Sequence, residues 1–427
     1  MAHPPIARTT SLWRDTAREA VSAPPLGTDA QVDLAIVGGG FTGMSAALEA
    51  ARRGARVALL EARKIGHGGS GRNVGLVNAG LWLKPEDIIK ALGDTEGRAL
   101  IARLGAAPDL VFDLITREGI RCDATRAGTL HCAHAPSGMA DLRERFRQGT
   151  ATGAPLQLLD AASAQARTGS AAVHGALFDP RAGTIQPLAY LGGLARAARD
   201  AGAMLHEDSA VTSVTADGAG WQVDCNGHRL RAASLLLASN AYHLAVQGLP
   251  TPAHTPVHYG QFATVAMPLP ARRRILAGAE GCWDTALVMS SFRTDRDGRM
   301  IVGGIGDLDG AGKAIHAAWA RRKLAALFPE IADLPFEHGW SGRIAMTSDH
   351  IPRITALGEN GLACHGYSGR GIGPGTVFGT ACAIALLGGD RAALPLRPVQ
   401  AHGERLTGLR ARYYELGAAL VHAWDAR

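Results

Sequence analysis

The clearest pattern along the chain is a short apolar run that ends in closely spaced glycines. Residues 32–37 are almost entirely apolar, as expected for a buried parallel strand. Gly38, Gly40 and Gly43 follow in G-x-G-x-x-G spacing, then a helical period and a second apolar run that leads to Glu61. This order predicts a dinucleotide-binding βαβ unit. The glycines and the helix N-terminus would receive a diphosphate, and Glu61 would accept hydrogen bonds from a ribose hydroxyl.

A second strand, glycine loop and helix recur near the other end of the chain. Residues 362–365 predict a strand, 366–375 (GYSGRGIGPG) a glycine-rich loop, and 376–387 an apolar helix. Another glycine-rich loop, at 66–75, directly follows the first βαβ unit. A nicotinamide dehydrogenase does not need this distant junction. A protein that holds a long cofactor at both of its ends does need it.

The remaining pattern predicts helices and strands in alternating blocks. We expect helices over 85–150, 184–203, 315–328 and 402–424, and strands at 204–206, 210–214, 221–225, 228–230, 234–238, 257–265, 286–289 and 300–303.

Composition narrows the class of protein. The 427 residues are 47% hydrophobic with 54 glycines, which is typical of an α/β protein. We expect no transmembrane segment and a cytoplasmic location, because no uncharged apolar run reaches 18 residues and the N-terminus lacks a signal-peptide core. The net charge of +6 comes from arginines scattered among acids, so no nucleic-acid partner is expected. The six cysteines show no metal-ligand spacing, which predicts free thiols and no metal.

Several motifs together resemble a known family. They are GGGFTG (38–43), Glu61, GGSGRN (68–73), TIQPLAYLGGLARAA (184–198), Trp340-Ser-Gly-Arg343, Thr347-Ser-Asp349 and GYSGRG (366–371). In this combination the chain resembles the FAD-dependent D-amino-acid oxidase family, which includes glycine and sarcosine oxidases. It is most similar to the γ-glutamylputrescine oxidase branch.

The resemblance implies a two-domain α/β fold. We expect a Rossmann-like FAD-binding domain of glutathione-reductase-like topology and an α+β substrate domain on a mostly antiparallel sheet. The expected boundaries are an N-terminal arm at 1–30, an FAD-binding domain at 31–84, 151–255 and 341–390, a substrate domain at 85–150 and 256–340, and a C-terminal helical extension at 391–427.

The resemblance also implies which residues hold FAD. The expected set is Gly38, Gly40, Phe41, Thr42, Gly43, Glu61, Ala62, Arg63, Ser70, Gly71, Arg72, Asn73, Val211, Ser239, Asn240, Gly369, Arg370, Gly371 and Ile372. Relatives attach flavin covalently through a cysteine or histidine at positions that correspond here to Gly342 and Asn73. We therefore expect FAD to bind noncovalently.

Four residues are candidates for catalysis or substrate binding. Arg370 stands where relatives have histidine, and at the flavin edge it would stabilise the negative charge of the reduced cofactor; the alternative is an outward-facing side chain. His258 and Gln261 begin a strand expected to cross the flavin face, or they are ordinary sheet residues. Arg343 could bind a substrate carboxylate or belong to a structural ion pair.

These expectations lead to a functional hypothesis. A small amine or amino acid, γ-glutamylputrescine-like or a secondary amine, would lose a hydride to flavin N5, and water would hydrolyse the imine to a carbonyl. Oxygen, a quinone or an electron-acceptor protein would reoxidise the flavin, so oxidase and dehydrogenase activity both stay open. The alternatives are an NAD(P)H-linked monooxygenase and a catalytically silent FAD-binding subunit of a larger complex.

Overall fold

The computed structural model describes residues 6–218 and 220–424. Its strands are β1 (Ala30–Val37), β2 (Val57–Leu60), β3 (Leu76–Val77), β4 (Thr129–Cys132), β5 (Gln157–Leu159), β6 (Ala176–Asp179), β7 (Gly183–Thr184), β8 (Met204–His206), β9 (Val211–Asp217), β10 (Gly220–Cys225), β11 (His228–Leu237), β12 (Thr255–Ala266), β13 (Gly281–Asp284), β14 (Ser290–Thr294), β15 (Arg299–Ile305), β16 (Phe336–Met346), β17 (Arg353–Gly358) and β18 (Gly361–His365). Its α-helices are α1 (Leu12–Thr16), α2 (Phe41–Arg52), α3 (Pro85–Leu92), α4 (Asp94–Gly105), α5 (Ala107–Arg117), α6 (Gly138–Ala151), α7 (Ala161–Thr168), α8 (Pro187–Asp200), α9 (Leu269–Arg272), α10 (Lys313–Leu327), α11 (Ile372–Gly388) and α12 (Thr407–Trp424).

The first sheet is built around a parallel core. Its order is β17-β18-β11-β1-β2-β8, with β9 and β10 added to β11 as an antiparallel hairpin. Val37 pairs with both Leu60 and Leu237, and Leu237 pairs with Ala363. The carboxyl ends of β1, β2, β11 and β18 therefore reach the same edge of the sheet, where ligands bind in open α/β folds.

The second sheet is mostly antiparallel, in the order β16-β12-β15-β14-β13-β4-β6-β5. Only its β4–β13 pair is parallel. A third, two-stranded sheet pairs β3 with β7. The fold is thus the predicted α/β class, with a Rossmann-like unit beside an α+β unit.

Sheet membership differs from the expected boundaries in two places. Strands β5 and β6, within the segment 151–255 assigned to the FAD-binding domain, hydrogen-bond into the second sheet beside β4. Strand β16 belongs to the second sheet along its whole length and crosses the expected boundary at residue 341. Strand β4 also interrupts the region predicted as helical over 85–150. Contacts between segments that are distant in sequence determine which sheet each of these strands joins. The local hydrophobic period contains no information about those contacts.

Two strand predictions need correction. The predicted strand at 286–289 is the loop between β13 and β14; the Asp284 carboxylate accepts the N–H groups of Ala286 and Ser290 and so closes that loop. Leu287 at its tip is 94% exposed. The two strands predicted at 228–230 and 234–238 form one continuous strand, β11.

Candidate functional site: a cofactor and substrate cavity

The β1–α2 junction has glycine where side chains do not fit. Gly38 has φ +115°, and a Cβ there would lie 2.8 Å from the Ala238 carbonyl oxygen. A Cβ on Gly40 would meet Ser70 Oγ at 2.9 Å, and one on Gly43 would overlap the Gly38 carbonyl. The three glycines thus allow a tight turn, an open cradle and close helix–strand packing. Helix α2 begins at Phe41 with its N-terminus directed at this cradle.

Glu61 closes one end of the site. Its carboxylate accepts the N–H of Gly39 at 2.8 Å and the N–H of Arg63 at 2.9 Å. Burial raises the pKa of Glu61, while these two backbone donors oppose that rise. The N–H groups fix the orientation of the carboxylate at the carboxyl end of β2, and Ala62 continues the same wall.

The glycine-rich loop 66–75 folds back over the start of α2. Ser70 Oγ accepts the Phe41 N–H at 3.0 Å. The Asn73 side chain bonds the carbonyls of Gly69 and Ser70 and the N–H of Gly75, so this residue shapes the loop. A Cβ on Gly71 would overlap the Gly66 carbonyl, which explains glycine at a position that does not face the cavity.

Four consecutive carbonyls of this loop are held by buried side chains from distant parts of the chain. The Arg72 carbonyl accepts from Gln261 Nε2 and, at 3.0 Å, from Trp340 Nε1. The Asn73 carbonyl accepts from Trp13 Nε1 at 2.8 Å. Arg293 Nη1 donates to the carbonyls of residues 74 and 75 at 3.2 and 3.0 Å. We call Trp13, Gln261, Arg293 and Trp340 the loop anchors.

Between Gly71 and Gly75, the segment that the loop anchors hold, one backbone donor is available among the described contacts. In the described residues the N–H groups of Gly71, Arg72, Asn73 and Gly75 have acceptors, whereas the Val74 N–H has none. Val74 lines the cavity. Because its neighbouring carbonyls are tied to the opposite side, this N–H is free to donate to a bound ligand.

The second junction joins β18 to α11. Ser368 and Gly369 have φ values of +48° and +91°, and Arg370 donates its N–H to the Tyr367 carbonyl to close the turn. Gly371 caps α11, and a Cβ there would meet open space. With Ile372 it presents the helix N-terminus, whose N–H groups and dipole favour negative charge.

Helices α2 and α11 cross in close contact. A Cβ on Gly379 would overlap the Thr42 carbonyl, and one on Gly375 would lie 3.3 Å from the Phe41 Cβ. Thr42 Oγ1 also hydrogen-bonds the Tyr367 hydroxyl at 2.8 Å. This crossing brings two helix N-termini, more than 300 residues apart in sequence, to one cavity.

Both junctions line a single cavity of about 700 Å³. Glu61 and Arg370 face the same space, and the remaining wall includes Val211, Ser239 and Asn240. Of the predicted site residues, those in the lining are Gly38, Gly40, Phe41, Thr42, Glu61, Ala62, Arg63, Ser70, Arg72, Asn73, Val211, Ser239, Asn240, Gln261, Arg343, Gly369, Arg370, Gly371 and Ile372. Gly43 and Gly71 lie behind this surface.

His258 is not in the cavity lining, so the structure gives no support to a substrate contact by His258, and that role stays a prediction. Side chains alternate along β12, so Val257, Tyr259 and Gln261 face the cavity and His258 faces away. The hydrogen bond with His316 and, more weakly, the charge of His258 lower the pKa of Glu415 on α12, behind the sheet. The sequence predicts the position of strand β12 correctly, but it does not predict which face of this strand lines the cavity.

The far end of the cavity is an aromatic pocket. The Arg370 guanidinium lies 4.7 Å from the Trp82 ring and 5.0 Å from the Trp283 ring, and Nη1 donates to the Ala79 carbonyl at 3.3 Å. Burial, with Arg145 close by, lowers the pKa of Arg370 to about 9, so it stays charged at neutral pH. Tyr259 completes the wall and donates its hydroxyl to Ser291 at 2.8 Å. Arg370 therefore faces the cavity and not solvent.

Arg343 lies at the cavity margin. Its guanidinium sits 4.5 Å from the Tyr242 ring, and its backbone N–H donates to the Tyr242 hydroxyl at 2.9 Å. Within the described residues it forms no ion pair, so the structural ion pair considered from the sequence is not present there. Its charge is free for an anionic ligand.

Positive charge dominates the cavity lining. The cationic side chains are Arg63, Arg72, Lys84, Arg145, Arg343 and Arg370, against the carboxylates Glu61 and Asp87. Burial and the surrounding arginines lower the pKa of His67 to about 4, so its ring is neutral at pH 7. Such a lining favours an anionic ligand.

Residues 33–383 match the family described as FAD dependent oxidoreductase (DAO). The chain belongs to this family. The probable oxidoreductase OrdL of Haemophilus influenzae is 28% identical over 389 residues, covering 89% of this chain and 88% of the relative. The γ-glutamylputrescine oxidoreductase of Escherichia coli is 29% identical over 379 residues, covering 85% of each chain. The crystal structure of glycine oxidase from Geobacillus kaustophilus superposes with a TM-score of 0.70 at 23% identity, covering 86% of this chain and 99% of that chain. The cofactor of this oxidoreductase is accordingly FAD.

The residues present fit FAD. Glu61 would accept hydrogen bonds from the ribose hydroxyls, and the α2 N-terminus with its open glycine cradle would bind the diphosphate. The Val74 N–H and the α11 N-terminus offer donors for the polar edge of the flavin. Gln261 Oε1, which is buried and without a partner among the described residues, adds an acceptor in the same wall.

The sequence did not predict some of the residues that line the cavity of this FAD-dependent oxidoreductase. Trp82, Trp283 and Arg145 line the aromatic pocket, but each lies in a segment whose pattern is explained by ordinary packing. Lys84 also reaches the cavity and pairs with Asp141 at 3.1 Å. A tryptophan in a short strand and an arginine in a charged helix carry no local signal of function.

Three further results concern the rest of the protein. The six cysteines are free and buried. Over residues 6–218 and 220–424, no cluster of histidine, cysteine and acidic side chains could hold a metal ion. Among the described helices, none is both long and apolar enough to cross a lipid bilayer.

Proposed function

We propose that this oxidoreductase oxidises a C–N bond of a small amine or amino acid that also carries a carboxylate. The supporting observation is the continuity of the cavity from the cofactor junctions into an aromatic pocket flanked by Arg145 and Arg370. A γ-glutamylputrescine-like compound or a secondary amino acid combines both groups. The names of the relatives from Escherichia coli and Geobacillus kaustophilus agree with this substrate class.

Bound FAD supplies the two-electron acceptor for the carbon that bears the amine. The chain's own contribution is to bind and orient the substrate. Trp82, Tyr259 and Trp283 offer apolar walls for its carbon skeleton, and the arginines attract its carboxylate. The amine must be neutral to react, and nearby guanidinium groups lower the pKa of a bound ammonium. Water then hydrolyses the released imine to a carbonyl.

We assign Arg370 a role in binding the substrate and stabilising negative charge as the cofactor is reduced, with Gln261 and Arg343 as further candidate contacts. An Arg370→Gln variant keeps hydrogen-bonding capacity and loses the charge. We expect its flavin midpoint potential to fall by about 30 mV for each ~1.4 kcal/mol of lost stabilisation. An unchanged potential and an unchanged KM in this variant would remove Arg370 from the site.

The decisive experiment is an anaerobic titration of the oxidised flavin spectrum. The panel should contain N-acylated diamines with a carboxylate, secondary amino acids, free diamines and NAD(P)H. We expect bleaching by carboxylate-bearing amines and little effect of free diamines. Bleaching by NAD(P)H alone would favour a monooxygenase, and no bleaching by any compound would favour a silent FAD-binding subunit.

Two follow-up measurements complete the assignment. Peroxide release in air would indicate that oxygen is the acceptor, whereas slow reoxidation in air with fast reduction of a quinone would indicate a dehydrogenase. Acid precipitation should leave yellow flavin in the supernatant, because we propose noncovalent FAD. Flavin that stays with the pellet would contradict this.

A further inference from the structure

Helix α12 (Thr407–Trp424) is two-faced, and its outer face is strongly apolar. Within the helix, the exposed large side chains, with their exposed fractions, are Leu409 (61%), Tyr413 (75%), Leu416 (64%), Leu420 (64%) and Trp424 (88%). Single exposed apolar side chains are ordinary, but five of them in one stripe of a helix are not.

The inner face holds α12 firmly on the body of the protein. His422 is buried and stacks on Trp319 with ring centroids 3.9 Å apart. Glu415 Oε1 accepts the Asp307 N–H at 3.1 Å and contacts His316 Nε2 at 3.2 Å. Ala418 is buried between these contacts. The outer face is therefore presented at a defined position.

The spacing of the exposed residues suits another helix. Within α12, positions 409, 413, 416 and 420 are separated by steps of four, three and four residues, the period of a coiled-coil seam. Leucine and tyrosine side chains at this spacing form knobs that fill the holes of a facing helix. The stripe exposes roughly 700–800 Å² of surface. That is close to the ~800 Å² each partner buries in a stable interface.

Charge and symmetry favour a second copy of the chain in antiparallel orientation. Arg405 stands just ahead of the helix, and antiparallel pairing would bring it to the C-terminal carbonyls of the partner helix, where a cation is stabilised. Glu404 and Glu415 do not oppose this, because they bond inward to Ser348 and His316. A single patch that meets its own copy closes a two-fold dimer.

We propose that the exposed stripe of α12 is a self-association surface, where two copies of the chain pair their C-terminal helices antiparallel about a two-fold axis. The midpoint of the stripe from Leu409 to Trp424 falls next to Leu416, so this part of the helix lies nearest the axis. Leu416 therefore meets the partner copy close to its own counterpart. This pairing leaves the cofactor cavity of each copy intact.

The test measures mass in solution and uses a matched leucine variant. By light scattering on the purified FAD-bound protein, we expect about twice the 44.5 kDa chain mass for the unmodified protein. Leu416→Arg should be monomeric. Leu269→Arg, a change at a leucine 67% exposed elsewhere, should stay dimeric. Flavin content should be unchanged in both variants, because neither side chain lines the cofactor cavity.

A second measurement locates the contact. Leu416→Cys should form an intermolecular disulfide under mild oxidation, since its two copies lie next to the axis, whereas Leu269→Cys should not. A monomeric unmodified protein, or a dimer that Leu416→Arg leaves intact, would overturn the proposal. So would a monomer whose binding to anionic lipid vesicles depends on Leu416, because the stripe would then dock on a membrane.

Discussion

At the scale of single residues, the site depends on hydrogen bonds that point away from the ligand. The loop anchors donate to the carbonyls of residues 72–75, so the loop has hydrogen-bond support that does not involve the cofactor. Burial lowers the pKa of one anchor, Arg293, to about 10, yet the guanidinium is still charged at neutral pH and satisfies three carbonyls through Nη1. Preorganised loops of this kind lower the entropy that binding must overcome.

Replacing Trp13 by phenylalanine removes one anchor donor and keeps the ring. The Asn73 carbonyl then loses its 2.8 Å hydrogen bond, which is worth about 1 kcal/mol. We expect FAD to bind about five- to tenfold more weakly, as measured by quenching of flavin fluorescence. Trp221→Phe is the control, because it loses a similar bond to the Asn360 carbonyl far from the cavity. Equal FAD affinity in the two variants would show that the anchor has no effect on binding.

A Glu61→Gln variant tests whether the Glu61 carboxylate contributes to FAD binding. Both oxygens of Glu61 accept backbone N–H groups, so the amide nitrogen of Glu61→Gln would face a donor. An unmatched buried donor costs about 1–3 kcal/mol, and FAD affinity should fall about 10- to 100-fold. Glu49→Gln on α2 is the control, since Glu49 pairs only with exposed Arg53. Calorimetric titration of the apoprotein with FAD measures both, and undiminished affinity of Glu61→Gln would refute the assignment.

At the scale of elements, the α2–α11 crossing positions the two junctions relative to one another. Gly379→Ala should push the helices apart, because its Cβ would overlap the Thr42 carbonyl. Overpacking of this kind costs about 1–3 kcal/mol, and both melting temperature and flavin content should fall. Gly388→Ala, in the same helix with no atom near its Cβ, should be neutral or slightly stabilising. Equal melting temperatures for the two variants would argue against close packing at Gly379.

The β1–α2 and β18–α11 junctions could be predicted from the sequence, whereas the aromatic pocket beside Arg370 could not. Glycine spacing, an apolar strand and a following helix are local features, so the cavity wall from Gly38 to Glu61 was identifiable before any fold was known. The loop anchors are not local, since Trp13 and Arg293 meet the same loop from opposite ends of the chain. The strand that carries His258 was predicted, but a strand's period shows two faces without showing which of them lines the cavity.

At the scale of the whole molecule, buried histidines make stability depend on pH. Burial lowers the pKa values of His131, His365 and His422 to about 3 in the folded protein, from about 6.5 in the unfolded chain. The unfolded state therefore binds more protons between pH 6.5 and 3, and stability falls as pH falls through this window. At pH 5 each histidine should cost about 2 kcal/mol relative to pH 7.

We expect the melting temperature to drop steadily from pH 7 to pH 5 at constant ionic strength. His365→Phe should flatten this slope, because neither ring nitrogen of His365 has a partner in the described residues. His174→Phe, at an exposed site, should leave the slope unchanged. A His365→Phe variant with the full slope of the unmodified protein would contradict a neutral, buried His365.

The direct crossing of α2 and α11 has a consequence for how the enzyme can be altered. The contact between α2 and α11 sets the relative position of the two ends of the cofactor site. Most of the second sheet therefore makes no contribution to that position. Tyr259, Trp283 and Met289 can be varied together in a search for new amine specificities while flavin retention is kept. Gln261, Arg293 and Trp340 are the exceptions, and a library that spares these three should yield mostly coloured protein.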